Sequence, residues 1–297
     1  MLTRRDNQRE GLRPKKAVER ASPRAWKIER LFTAPPLPQS RTNKTVVLDL
    51  DSTLIATHDD YDTLAELGIM RNPRYLGMRH RIYVLSADDV MSKRGNGEQY
   101  RFWGVVRPHA EKFLAFCFWY FRSVIVWSAG KQRYVEAIVR HMFHDLPWPD
   151  IVWSHGDCEP VQDPDNPDEI ILEKPLEKLA ARYPKLVRMD STLIIDDNYT
   201  TFAGANPDNG ILIPKFDPAA EYDNDYESDS DSDSDSGEYD YDSEVERRKK
   251  VEKQAQLIDA LSDMSDDAFL KIEAWCMRPE VISAPDVRLL DKSRIFD

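Results

Sequence analysis

Short, continuously apolar runs recur along the chain, separated by amphipathic stretches. Thr45-Val46-Val47-Leu48 is apolar and β-branched, and it runs into Asp49-Leu50-Asp51-Ser52. Val124-Ile125-Val126-Trp127 and Thr192-Leu193-Ile194-Ile195 have the same form, and each also ends in polar residues. Runs of this length without polar alternation predict strands buried on both faces. Ile151–Trp153 and Ile211–Ile213 predict two shorter strands. Between the strands, Pro108 opens a helix that reaches Phe121, Gln132–Phe143 is amphipathic, and Pro175–Tyr183 begins at a helix-opening proline. Arg81–Leu85 and Tyr100–Val106 predict a hairpin around Lys93-Arg94-Gly95-Asn96-Gly97. Strands alternating with helices imply an α/β fold, with a mainly parallel sheet covered on both faces. Such sheets bind ligands at the carboxyl ends of their strands.

Charge divides the 297 residues unevenly. Residues 1–44 hold 12 Lys/Arg against 4 Asp/Glu, a net of +8, and residues 217–246 hold 14 Asp/Glu and neither Lys nor Arg. The formal charge of −12 therefore belongs to one segment, and the rest of the chain carries +2. Four regions follow: a basic arm over 1–43 expected to be disordered, the α/β domain over 44–216, an acidic segment over 217–250 expected to be disordered, and a closing helix and tail over 251–297. A short helix fits residues 24–32 of the arm. The acidic segment alternates Ser with Asp from Ser228 to Ser236 and has too few apolar residues to offset its ordering entropy. Cys117, Cys158 and Cys276 are too few and too far apart for a disulfide framework or a zinc site, which suits a reducing compartment. No run is long and apolar enough for a membrane helix.

The polar residues that follow the strands are of a kind that does chemistry. Asp49 and Asp51 sit one residue apart at a buried strand end, where two carboxylates call for a cation or a proton. A carboxylate there can attack phosphorus, and its neighbour can protonate the leaving oxygen. Ser128, before Ala129-Gly130 and a helix, offers a hydroxyl beside backbone amides. Lys174 stands before another helix and can neutralise phosphate charge. Asp196-Asp197-Asn198 supplies oxygen ligands for a hard cation such as Mg²⁺. Each piece alone has an ordinary explanation as a solvated loop, a helix cap or a surface lysine. Their order and their placement after strands or at helix starts argue for chemistry.

That order resembles the haloacid-dehalogenase superfamily. Within it, the chain is similar to the FCP/SCP-type phosphatases of the RNA polymerase II C-terminal domain, also called the NLI-interacting-factor-like family. The resemblance lies in Leu48-Asp49-Leu50-Asp51-Ser52-Thr53-Leu54, Val106-Arg107-Pro108-His109-Ala110, Val126-Trp127-Ser128-Ala129-Gly130 with Tyr134, Lys174-Pro175-Leu176-Glu177-Lys178-Leu179, Ile194-Ile195-Asp196-Asp197, and the closing Asp263-Met264-Ser265-Asp266-Asp267-Ala268-Phe269-Leu270. It implies a three-layer Rossmann-like fold with a small β-hairpin insertion and no large cap domain. Asp49 would be nucleophile and metal ligand. Asp51 would be general acid/base, with its carbonyl on the metal. Thr53 would support the loop. Ser128, Ala129, Tyr134 and Lys174 would meet the substrate, Ser128 and Lys174 holding its phosphoryl group. Asp197 would bind Mg²⁺ with Asp196 assisting. The family usually has Glu where Ser52 stands and Thr where Ser128 stands. Near the strand before its lysine it often has an arginine, where this chain has Ser154-His155-Gly156-Asp157.

With only residues 55–107 between the first strand and the Pro108 helix, an open site and a phosphoserine in a protein tail are expected, the RNA polymerase II tail included. Two alternatives stand beside this: a catalytically inactive scaffold, and a phosphatase of nucleic-acid ends drawn by the basic arm. The arm also reads as a nuclear-import address, so a nuclear location is favoured over a cytoplasmic one. Oligomeric state is not legible in the sequence.

Overall fold

A computed structural model describes residues 40–88, 99–163, 166, 169–218 and 241–297. The helix expected over 24–32, the turn at 93–97 and the Ser-Asp repeat lie outside these residues.

Five strands make the central sheet: β1 (Thr45–Leu48), β5 (Ser123–Trp127), β6 (Ile151–Trp153), β9 (Thr192–Asp196) and β10 (Gly210–Leu212). Their order is β10-β9-β1-β5-β6 and every pairing is parallel. β1 is central, so its carboxyl end has neighbours on both sides. Side chains alternate between two cores, as the pleat requires. Val46, Leu48, Val124, Val126, Leu193 and Ile195 face helices α2 (Ala110–Tyr120) and α3 (Gln132–Met142). Val47, Ile125, Trp127 and Ile194 face α4 (Leu176–Arg182). The expected three layers are present.

The insertion is larger than the expected hairpin. β3 (Ile82–Asp88) and β4 (Gln99–Val106) pair as read from the sequence, and β2 (Ile55–His58) adds a third strand on the other edge of β4. Helix α1 (Tyr61–Leu67) follows β2, capped by Asp60, whose carboxylate accepts from the amides of Asp62 and Thr63. A second hairpin, β7 (Glu159–Gln162) with β8 (Ile170–Glu173), delivers the chain to Lys174.

Part of the acidic segment corrects the expectation of disorder over 217–250. Residues 219–240 lie outside the described part, but residues 241–250 begin a long helix, α5 (Tyr241–Ser262). Its Leu257 and Leu261 complete a core with Leu64, Leu67, Trp103 and Phe216 of the insertion and the chain leaving β10. The closing helix α6 (Ala268–Cys276) lies against α2, with Phe269 stacked on Phe113 at 4.4 Å, and α7 (Pro279–Ser283) follows it. Arg107 ties these parts together. Its guanidinium, buried between the Phe216 and Phe269 rings, donates to the Thr53 carbonyl at 3.2 Å and pairs with Asp266 at 2.9 Å. All three cysteines are free and buried, and among the described residues no helix is long and apolar enough to cross a membrane.

Candidate active site

Asp49 continues the β1 ladder, its amide donating to the Ile195 carbonyl at 3.0 Å. The chain then turns tightly, with the Leu50 carbonyl accepting from the amides of Thr53, Leu54 and Ile55. Ser52 takes a left-handed conformation, φ 57°, which costs a non-glycine residue about 1–2 kcal/mol. Two flanking bonds hold it there, from the Ser52 amide to the Ile55 carbonyl and from the Phe216 amide to the Ser52 carbonyl. The turn aims Asp49 and Asp51 to different sides.

Asp49 faces Lys174 and β9. Lys174 Nζ donates to Asp49 Oδ1 at 2.6 Å and to Asp196 Oδ2 at 2.7 Å, with its side chain only 1% exposed. Lys174 was expected to bind phosphate, and its strongest contacts here are these two carboxylates. Burial pulls the Lys174 ammonium toward neutrality, but the adjacent Asp49 and Asp196 charges override it and keep the group charged. Burial raises the Asp49 carboxyl well above the usual carboxylate range. Lys174 opposes that shift, and the Asp196 and Asp51 charges add to it. Asp196 is held by the Asn198 amide on Oδ1 at 2.9 Å. Thr53, fully buried, accepts from the Asp197 amide at 3.1 Å and donates to Asp197 Oδ1 at 3.2 Å. Asp197 is half-buried and its carboxyl is also raised, by burial and then by Asp196.

Carboxylate oxygens of Asp49, Asp196 and Asp197 lie within 4.8 Å of one another. Lys174 is the one ammonium paired with this group among the described residues, a charge imbalance that suits a divalent cation on oxygen ligands. The Asp51 side chain is not part of that cluster and has partners of its own.

Asp51 instead faces α3. Tyr134 donates its phenol to Asp51 Oδ1, and Ser128 Oγ lies 3.5 Å from Oδ2. Burial raises the Asp51 carboxyl, which the Tyr134 bond partly offsets. Burial and then the Asp51 charge push the Tyr134 phenol far up, so it stays a donor. Ser128 follows β5 and accepts from the Gly130 amide at 2.9 Å. Ala129 sits partly buried against the core under α4. The structure thus gathers Asp49, Asp51, Thr53, Ser128, Tyr134, Lys174, Asp196 and Asp197 at the carboxyl ends of β1, β5 and β9.

Two residues at this site are absent from the sequence reading. Thr57 Oγ1 lies 2.7 Å from the Tyr134 hydroxyl and 2.5 Å from that of Tyr83. Their signal was Gly104, a glycine inside a strand, which marks a close approach by another group. A Cβ there would come within 2.2 Å of Tyr83 Oη.

The sequence profile of the family described as NLI interacting factor-like phosphatase matches residues 44–230. No curated protein matches the chain. Solved structures share its fold, two among them being variants of one protein. One is Fcp1, described as an essential RNA polymerase II CTD phosphatase, at TM-score 0.53 and 15% identity over 84% of this chain and 69% of that one. The other is a fission yeast Fcp1 variant bound to beryllium fluoride, at TM-score 0.51 and 13% identity over 84% of this chain and 70% of that one.

Proposed function

The chain belongs to the NLI interacting factor-like phosphatase family and is thereby a hydrolase of phosphate esters; from that premise we propose that it is a Mg²⁺-dependent phosphoserine protein phosphatase working through an aspartyl-phosphate on Asp49. The observation that carries the reading is the Asp49–Lys174–Asp196 bridge beside an independently held Asp51. The two carboxylates at the end of one strand have different partners and so different tasks.

Asp49 Oδ1 is held by Lys174, which leaves the other oxygen for attack on phosphorus. The Lys174 ammonium and the Ser128 hydroxyl meet the charge on the phosphoryl oxygens. Asp51 protonates the serine oxygen as it leaves and then takes a proton from the water that hydrolyses the aspartyl-phosphate. Asp49 and Asp197, with Asp196 assisting, are the side chains that would hold Mg²⁺, whose chemistry here is to neutralise charge between carboxylate and phosphate.

Asp51 is partly exposed, and Asn198 and Tyr199 beside the carboxylates are exposed. A mouth open in this way suits a phosphate carried on a protein tail. A serine-phosphorylated tail of the RNA polymerase II kind is the substrate we favour, and the fold neighbours' described activity supports that choice. The net charge of +8 in residues 1–44 supports nuclear import as the arm's role and a nuclear location. The test is turnover of a phosphoserine peptide by wild type and Asp49→Asn. Loss of turnover in a folded Asp49→Asn protein is expected, and substantial turnover by it refutes the assignment.

A further inference from the structure

Thr57, Gly104 and Tyr83 are register partners across the three strands of the insertion. Thr57 pairs with Gly104 on β4, and Gly104 pairs with Tyr83 on β3. The missing side chain at Gly104 lets the Tyr83 ring lie across β4. Its hydroxyl reaches Thr57 Oγ1 at 2.5 Å, and Thr57 Oγ1 lies 2.7 Å from the Tyr134 hydroxyl, which donates to Asp51 Oδ1. Tyr83 is buried, and Phe102 packs beside the Tyr134 ring with centroids 5.1 Å apart.

Each hydroxyl has one proton, which orders the chain. Tyr83 donates to Thr57, Thr57 donates to Tyr134, and Tyr134 donates to the carboxylate. An oxygen that accepts this bond is a poor place for a transferable proton. Among the described residues, the other oxygen, Oδ2, meets a donor only in the Ser128 hydroxyl at 3.5 Å, too long to hold it as an acceptor. The geometry points to Tyr134, held by Thr57 and Tyr83, as a positioning residue that reserves Oδ1 of Asp51 as an acceptor and so places the acidic proton on Oδ2, toward the leaving oxygen. In the step served, the Asp49–phosphorus bond forms, the bond from phosphorus to the serine oxygen breaks, and the Oδ2 proton passes to that oxygen. The inference rests on the phosphatase reading above and adds a task for the insertion: its sheet aims the acid.

The experiment compares two leaving groups. A serine alkoxide needs the proton, whereas p-nitrophenolate leaves without it. The measured quantity is kcat/KM, which reports the steps through phosphoryl transfer and leaves out hydrolysis of the aspartyl-phosphate. In Tyr134→Phe, kcat/KM for a phosphoserine peptide should fall about tenfold or more beyond any fall for p-nitrophenyl phosphate, the loss expected for a hydrogen bond to a charged group. Thr57→Val should shift the same ratio in the same direction by a smaller factor, and Thr57→Ser, which keeps the hydroxyl, should restore it. Equal losses on both substrates in Tyr134→Phe, or an unchanged ratio in Thr57→Val, would overturn the inference. A wild-type protein inactive on both substrates would instead overturn the phosphatase reading beneath it.

Discussion

Replacing Lys174 by Met tests the charge balance of the site directly. The ammonium lies 2.6 Å from Asp49 and 2.7 Å from Asp196, all three being nearly inaccessible to water. Methionine fills most of the space but leaves two carboxylates facing each other without a counter-charge. Removing one partner of a buried ion pair costs roughly 3–5 kcal/mol. In a domain of this size each kcal/mol is worth about 2–4 °C, so the melting temperature should fall by about 6–20 °C. The assay is thermal unfolding followed by circular dichroism, in EDTA so that no cation takes the place of the lysine. Adding Asp196→Asn to the variant should return part of the loss, because one of the stranded charges is gone. A Lys174→Met protein melting within about 2 °C of wild type would show that the site does not depend on this bridge.

Three further outcomes are expected. EDTA should abolish turnover of p-nitrophenyl phosphate, and Mg²⁺ but not Ca²⁺ should restore it, since Ca²⁺ prefers a larger and looser shell; full activity after metal stripping would contradict the mechanism. Gly104→Ala should cost about 1–3 kcal/mol in urea unfolding, because its Cβ meets Tyr83 Oη at 2.2 Å and the Ala56 carbonyl at 2.4 Å; an unchanged midpoint would mean that neither the Tyr83 ring nor the neighbouring backbone holds its place. Deleting 219–240, a segment with ten Asp/Glu, should lower KM for an anionic phosphopeptide at low salt, with the difference shrinking as the Debye length falls below about 8 Å; an unchanged KM at low ionic strength would leave the segment as a linker.

The buried strands were legible because both of their faces are covered. Val46–Leu48, Val124–Trp127 and Leu193–Ile195 have no polar alternation to confuse them, and the carboxylates that end them stand where the sheet opens. β2 was not legible. Its Ala56-Thr57-His58 looks like a polar exit from the catalytic loop, and only β4 beside it makes it a strand. The β7–β8 hairpin is half-exposed, and although β8 carries the apolar Ile170-Ile171-Leu172, its partner Glu159-Pro160-Val161-Gln162 has a single large apolar residue and gives it no visible mate. The first turns of α5 read as acidic tail because Asp242, Glu244 and Glu246 continue the charge of the segment before them, and its buried apolar contacts come later, at Leu257 and Leu261. In the site, motif residues were found by type and order. Thr57 and Tyr83 were missed because a strand hydroxyl has no motif, and their part depends on three strands lying in register.

The chain after residue 240 does more than close the fold. Phe269, Ile272, Trp275 and Cys276 belong to the same core as β1 and α2. Lys44 reaches back to the carbonyls of Ile282 and Ala284, and Val287 bonds to Asp190. Asp266 holds the arginine that steadies the turn after β1 at Thr53. Neither portion has a finished interior alone, and the contacts between them do not need the peptide link that joins them. A protease cut anywhere within 219–240 should therefore leave two fragments that travel as one particle. Made separately, they should behave as a split enzyme, each inert until the other supplies its missing wall.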